Sequence, residues 1–119
     1  PPSLPAAGYA TGYARTPGGP TDAPRLSMTQ PYAAGALCST AADLARWNAA
    51  LAGGKVVAAA SYAQMTTPAG AAAAQRYGFG LGADTLAGRR MVMHGGGIHG
   101  FISQNAWFPD DALSVTVLA

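Results

Sequence analysis

The segment His94-Gly95-Gly96-Gly97-Ile98-His99-Gly100-Phe101 gathers the residues of this chain best suited to chemistry. An imidazole can donate or accept a hydrogen bond and carry a proton near neutral pH. Three successive glycines remove every Cβ from the adjacent backbone, so a ligand or another strand can approach the main chain closely. Backbone N–H groups exposed in this way beside a proton-carrying ring are what an acyl-transfer site needs to stabilise a developing oxyanion. Without such a role the glycines would be a strained hairpin connection. A metal site built on His94 and His99 is not expected, because the pair lacks a third ligand and the chain contains no Glu.

The elements that must position this segment change character along the chain. Residues 1–36 are rich in Pro, Gly, Ala and Tyr without periodicity and read as an irregular segment. Residues 37–68 read as helical. Thr40-Ala41-Ala42-Asp43 has the form of a capping box, which starts a helix near residue 41. Leu44, Trp47 and Leu51 form its apolar stripe and Gly53-Gly54 ends it. A second short helix is expected from Ala58 to Met65, stopped by Thr66-Thr67-Pro68, with helical character extending to the alanines at 71–74.

From residue 76 to 119 the period is two. Tyr77, Phe79 and Leu81 alternate with glycines, Met91 and Met93 with Val92 and His94, and Leu113, Val115 and Val117 with Ser114 and Thr116. Turns are expected at 83–88, in the glycine loop at 95–100, and at 109–112. The expected fold is α+β, an antiparallel sheet of about four strands with helices packed on it. Val92, Ile102, Ala106 and Phe108 suggest one buried side, and Met91, Met93, Trp107 and Val115 the other. Two apolar faces need two covering layers, and the helices supply hardly more than one. Self-association through the remaining face is therefore expected.

Composition narrows the function classes. At 119 residues the chain suffices for one domain with a modest core, and much of its 50% apolar content is alanine, which buries little area. The net charge of +2 comes from scattered arginines with no basic stripe, so nucleic acid is not an expected partner. Cys38 is alone, which excludes an intrachain disulfide, and reads as a small buried hydrophobe. No run is long enough for a membrane span, and Pro1-Pro2-Ser3-Leu4-Pro5 does not resemble a signal peptide.

Four blocks, taken in order, resemble the C-terminal half of the serine β-lactamase-like hydrolases: Ala34 through Trp47, Met65-Thr66-Thr67-Pro68, Tyr77-Gly78-Phe79-Gly80-Leu81, and His94-Gly95-Gly96-Gly97 through Gly100-Phe101. That family includes class C β-lactamases, D-alanyl-D-alanine carboxypeptidases, D-aminopeptidases and esterases. The resemblance implies a partial β-lactamase/transpeptidase-like fold and acyl-enzyme chemistry without a cofactor. It makes His94-Gly95-Gly96 the His-x-Gly variant of the family's Lys-Thr-Gly motif, carried on a strand of the main sheet. His94 then stands beside the nucleophile, and the Gly97 N–H becomes an oxyanion-hole donor. Gly95, Gly96, Ile98 and His99 line the substrate, with Gly96 giving it room along the strand. Many relatives are periplasmic or secreted, which is compatible with an exported parent.

Neither the family's Ser-x-x-Lys motif nor its Tyr-x-Asn motif occurs in the sequence. The residue three before Lys55, the single lysine, is Ala52, so no Ser-x-x-Lys exists, and no tyrosine is followed two residues later by Asn. The chain is therefore expected to be a fragment of a β-lactamase-like domain, without a nucleophile and inactive alone, whose parent acts on a β-lactam, D-peptide or ester. The alternatives are a non-catalytic binding or assembly module of the same fold, or an oxyanion-loop fragment of an α/β-hydrolase. The last lacks the expected Gly-x-Ser-x-Gly elbow downstream.

Overall fold

The computed structural model describes residues 8–119; the Pro1-Pro2-Ser3-Leu4-Pro5 run and the start of the segment read as irregular lie outside the described residues. The elements are β1 (Tyr13–Thr16), β2 (Gly19–Asp22), α1 (Tyr32–Gly35), α2 (Ala41–Ala52), α3 (Ala59–Met65), a 3₁₀ helix (Gly70–Gln75), β3 (Gly82–Leu86), β4 (Arg89–Ile98), β5 (Phe101–Phe108) and β6 (Leu113–Leu118). The last four strands form an antiparallel meander in the order β3-β4-β5-β6, and β1 and β2 form a separate hairpin. The fold is thus α+β, as expected.

Several expectations need correction. The segment read as irregular contains the β1–β2 hairpin, whose strands are too short and polar to show an alternating pattern. That hairpin docks on the β4–β5 turn through two glycines. A Cβ on Gly12 would meet the Phe101 ring at 2.6 Å, and one on Gly100 would lie 2.7 Å from Gly12 Cα. The second correction concerns residues 83–88, read as a turn. Ala83 to Leu86 belong to β3, and the reversal needs only Ala87 and Gly88, at φ 51° and 77°. Positive φ at both central residues is the hairpin turn that matches strand twist, here with an alanine that does not advertise it. In the third case Gly95, Gly96 and Gly97, read as a loop, are strand residues paired with Gln104, Ser103 and Ile102, which leaves only His99-Gly100 to reverse the chain.

Thr40 caps α2 as its sequence implies. Its hydroxyl accepts from the Asp43 N–H at 3.1 Å and donates to the Asp43 carboxylate at 2.9 Å. That hydrogen bond, followed by the Arg46 guanidinium, holds the Asp43 carboxyl below its ordinary range. The buried stripe of α2 is rotated from the one expected. Asn48 and Leu51 are buried, whereas Trp47 is 48% exposed.

A polar cluster pins this helix to the sheet. Asn48 Nδ2 donates to Asn105 Oδ1 and Ser114 Oγ, Asn105 Nδ2 returns a bond to Asn48 Oδ1, and Thr116 Oγ1 donates to Asn105 Oδ1, all at 2.8 Å. Pairing register then assigns the two sheet faces. Asn105, Ser114 and Thr116 share the helix side with Val92, His94, Gly96 and Trp107. Met91, Met93, Ile102, Ala106, Phe108, Val115 and Val117 lie on the opposite side. Alternation alone groups Val92 with Ile102, Ala106 and Phe108, and Trp107 with Met91, Met93 and Val115; the register instead puts Val92 and Trp107 together on the helix side and the other six on the opposite side. On the opposite side Ala106 and Phe108 are buried, but Ile102 is 69% and Val117 56% exposed. Cys38 is exposed rather than buried.

Replacing Asn48 by Ala leaves the Asn105 amide and the Ser114 hydroxyl without their helix partner. The expected loss is about 1–3 kcal/mol of stability, read as a lower urea midpoint by tryptophan fluorescence. An unchanged midpoint would show that the apolar contacts alone hold α2.

Candidate active site

The geometry around His94 follows from unequal strand lengths. β4 has ten residues and β3 five, and β3 begins at Gly82, opposite Met93. Beyond Met93, β4 has among the described residues a strand neighbour on one side only, β5. Ile102 exchanges both backbone bonds with Ala119, at 2.7 and 2.8 Å, so its N–H and C=O point toward β6. Alternation along an antiparallel strand then turns those of Phe101, Ser103 and Asn105 toward β4. Their partners Ile98, Gly96 and His94 point back toward β5. Gly95 and Gly97 lie between these positions, so their N–H and C=O groups point to the free edge, where no strand among the described residues meets them.

The three glycines differ in what their missing side chains make possible. A Cβ on Gly95 would lie 2.7 Å from Gln104 Oε1, one on Gly96 would lie 3.1 Å from Ser103 Oγ, and one on Gly97 would touch nothing within 4 Å. Gly96, read as the residue that gives substrate room along the strand, thus uses its missing Cβ to admit the Ser103 hydroxyl and directs its backbone to β5. The open positions on the edge are Gly95 and Gly97.

Tyr77 adds a group that sequence reasoning missed. Its hydroxyl lies 2.8 Å from His94 Nε2, and the two rings meet edge to face with centroids 5.7 Å apart. Tyr77-Gly78-Phe79-Gly80-Leu81, read as a strand, is a loop joined to the sheet by a single bridge from Tyr77 to Gly82. The Gly78 N–H donates to Leu81 O at 2.8 Å and the Phe79 N–H to Met65 O at 3.0 Å. A Cβ on Gly78 would overlap the Met65 carbonyl, and Gly80 sits at φ 74°, so both glycines are required by the path of the loop. The repeated Gly-aromatic pattern was the available signal, but it imitates strand alternation.

A cavity of about 270 Å³ opens where this loop meets the strand edge, lined by Gln75, Arg76, Tyr77, Met93, His94 and Gly95 among others. Arg76 is tied to Asp84 on its rim. The Asp84 carboxyl lies below its ordinary value, first through the Thr85 N–H and then through the Arg76 guanidinium. The other two candidate residues lie farther along. Ile98 is the last residue of β4 and half-buried, and the exposed His99 occupies the turn beyond it. At about 3.3 Å per residue His99 is roughly 15 Å along the strand from His94, so the structure does not bring the two histidines together.

The family comparison agrees with this architecture. The family model described as Beta-lactamase matches residues 1–119. No curated protein and no solved structure matches the chain.

Amide hydrogen exchange followed by NMR should show an alternating pattern along β4, with Gly95 and Gly97 fast and His94, Gly96 and Ile98 protected. Equal protection at all five positions would mean that the edge is covered.

Proposed function

Because the chain belongs to the beta-lactamase family, we propose that it forms one wall of a serine hydrolase site that works through an acyl-enzyme. The observation that carries this reading is the pair of outward-facing glycines, Gly95 and Gly97, beside the His94 ring. A substrate lying along this edge would use the backbone as an added strand does, with main-chain bonds fixing its position. The Gly97 N–H donates to the substrate carbonyl oxygen and holds the oxyanion as the tetrahedral centre forms. Loss of one such donor costs about a hundred- to a thousand-fold in rate.

The nucleophile comes from outside this chain, which has no Ser-x-x-Lys. A serine Oγ attacks the carbonyl carbon and its proton passes to a base, which returns it to the leaving nitrogen or oxygen as the C–N or C–O bond breaks; a peptide or ester releases an amine or alcohol, whereas an opened β-lactam keeps its amine tethered to the acyl group. Water then attacks the acyl-enzyme and releases the acid. A β-lactam, a D-peptide and an ester all present the carbonyl that this sequence of steps requires. His94, where many relatives carry lysine, supplies a ring in place of a permanent ammonium charge. This lessens the need for an anionic group on the substrate.

A direct test titrates the chain with benzylpenicillin and with a short peptide ending in D-Ala-D-Ala. The amide signals of Gly95 and Gly97 and the ring signals of His94 should shift together, with little change at Gly96. Mass spectrometry after incubation with a chromogenic β-lactam or a p-nitrophenyl ester should show no covalent adduct. Shifts confined to other parts of the molecule would refute the assignment of the edge, and an adduct would refute the external origin of the nucleophile.

A second reading, that the isolated chain acts as an assembly module, draws on the uncovered apolar sheet face. Met91, Met93, Ile102, Val115 and Val117 share that face, and Ile102 and Val117 are largely exposed. Light scattering should give a mass that rises with concentration, and Ile102→Lys should lower it. A monomer at high concentration would remove this reading.

A further inference from the structure

We propose that Tyr77 is a positioning residue that selects the tautomer of His94, placing the proton of the neutral ring on Nδ1. The inference rests on the reading of His94 as a group that faces substrate. Its own evidence is the 2.8 Å contact between the Tyr77 hydroxyl and His94 Nε2, reinforced by the edge-to-face contact of the rings. A phenol is a strong donor and a weak acceptor, because its oxygen lone pair is delocalised into the ring. The unprotonated nitrogen of an imidazole is a strong acceptor. In the neutral pair, therefore, the phenol donates and Nε2 accepts. Valence then places the one ring proton on Nδ1, the reverse of the form that neutral imidazole side chains favour in water.

The surroundings hold the phenol at that place. Tyr77 is flanked by the bond from Ala83 N–H to Arg76 O at 2.8 Å and by the bond from Gly78 N–H to Leu81 O at 2.8 Å. Gly78 packs against the end of α3, where no side chain would fit. The phenol is thus fixed to β3 and α3, while the histidine is fixed to β4. Their contact orients the ring across the end of β3.

The chemical consequence concerns the substrate. With Nε2 occupied by the phenol, Nδ1–H is the ring's remaining polar group. It can donate to an oxygen acceptor such as an ester, amide or lactam carbonyl, and cannot accept a proton from a nucleophile. Tyr77 therefore assigns His94 to binding and polarisation, and leaves the general-base role to the residues that accompany the serine.

The ring-nitrogen ¹⁵N shifts of the 119-residue chain, read by two-bond correlation at about pH 8.5, where an ordinary imidazole of pKa about 6.5 is neutral, test this. His99 is exposed and forms no side-chain hydrogen bond among the described residues, so it serves as the internal reference. The Nδ1–H to Nε2–H ratio at His94 should exceed that at His99 by about five-fold. Tyr77→Phe should return His94 to the ratio of His99 while His99 itself does not change. Equal ratios in the unsubstituted chain, or an unchanged His94 ratio in a folded Y77F, would overturn the proposal. If Y77F does not fold, the unsubstituted spectrum decides alone. No substrate takes part, so a failure here leaves the ligand response of Gly95 and Gly97 as a separate result.

Discussion

The mismatch in length between β3 and β4 is the constraint on which the rest of this structure depends. Five residues of β4 pair with β3, and the strand then continues past the end of its neighbour, supported from β5 alone. Antiparallel geometry sends alternate backbone groups to opposite sides. The overhang therefore presents Gly95 and Gly97 outward and spends His94, Gly96 and Ile98 on holding the strand in place. Side chains at 95 and 97 would project to the face opposite the helices; the space left at Gly95 is taken by the Gln104 side chain, whereas Gly97 is open to close approach from that side. The same overhang places the His94 ring just past Gly82, where a group carried on the preceding loop can reach it.

Support for the overhang comes from a polar contact. Asn105 is the cross-strand partner of His94, and it is the centre of the cluster formed with Asn48, Ser114 and Thr116. An apolar residue at 48 could slide along the sheet, whereas an amide that gives and receives bonds with a single partner fits one position only. This is the specificity that a satisfied polar network supplies. α2 is thereby held in register over β5 and β6, and the strand that backs His94 cannot shift without breaking bonds to the helix. The charged groups of the sheet lie mostly elsewhere. Arg89 and Arg90, at the start of β4, pair with Asp111 and Asp110 in the β5–β6 turn. The Arg90 guanidinium holds the Asp110 carboxyl below its ordinary value.

Legibility in the sequence followed the range of the interaction concerned. The cap at Thr40, the glycine stop after Ala52 and the alternation of Leu113 to Val117 are local, and each was readable because a few neighbouring residues determine it. Asn48 was not readable as a buried residue, since its partners lie 57 and 66 positions away. Local rules placed Gly95 to Gly97 in a loop because glycine weakens an isolated strand; pairing with Gln104, Ser103 and Ile102 overrides that weakness. Tyr77 was hidden differently. Its block was visible, but aromatic residues separated by glycine look like a strand whether or not a partner is present. The division of the apolar residues between the two sheet faces required the register, which periodicity does not contain.

An exposed strand edge is ordinarily a hazard, because its unpaired N–H and C=O groups will accept another chain, and proteins blunt such edges with charge, proline, bulges or a cover. Residues 94–98 themselves contain no Asp, Glu, Lys, Arg or proline, and no strand among the described residues pairs with their free side. The charged residues of β4 are at its other end, the Tyr77 ring meets His94, and α1 approaches the end of the strand, where a Cβ on Gly35 would lie 3.9 Å from Ile98 Cγ2. The apolar back of the sheet has the same character, with Ile102 and Val117 largely exposed, but that surface asks only for burial and would accept many partners. The glycine edge is more demanding. It offers directional donors and acceptors at strand spacing beside a hydrogen-bonding ring, so the partner that satisfies it must carry a carbonyl at a defined position. That difference separates a surface awaiting cover from the edge that we propose recognises an acyl group.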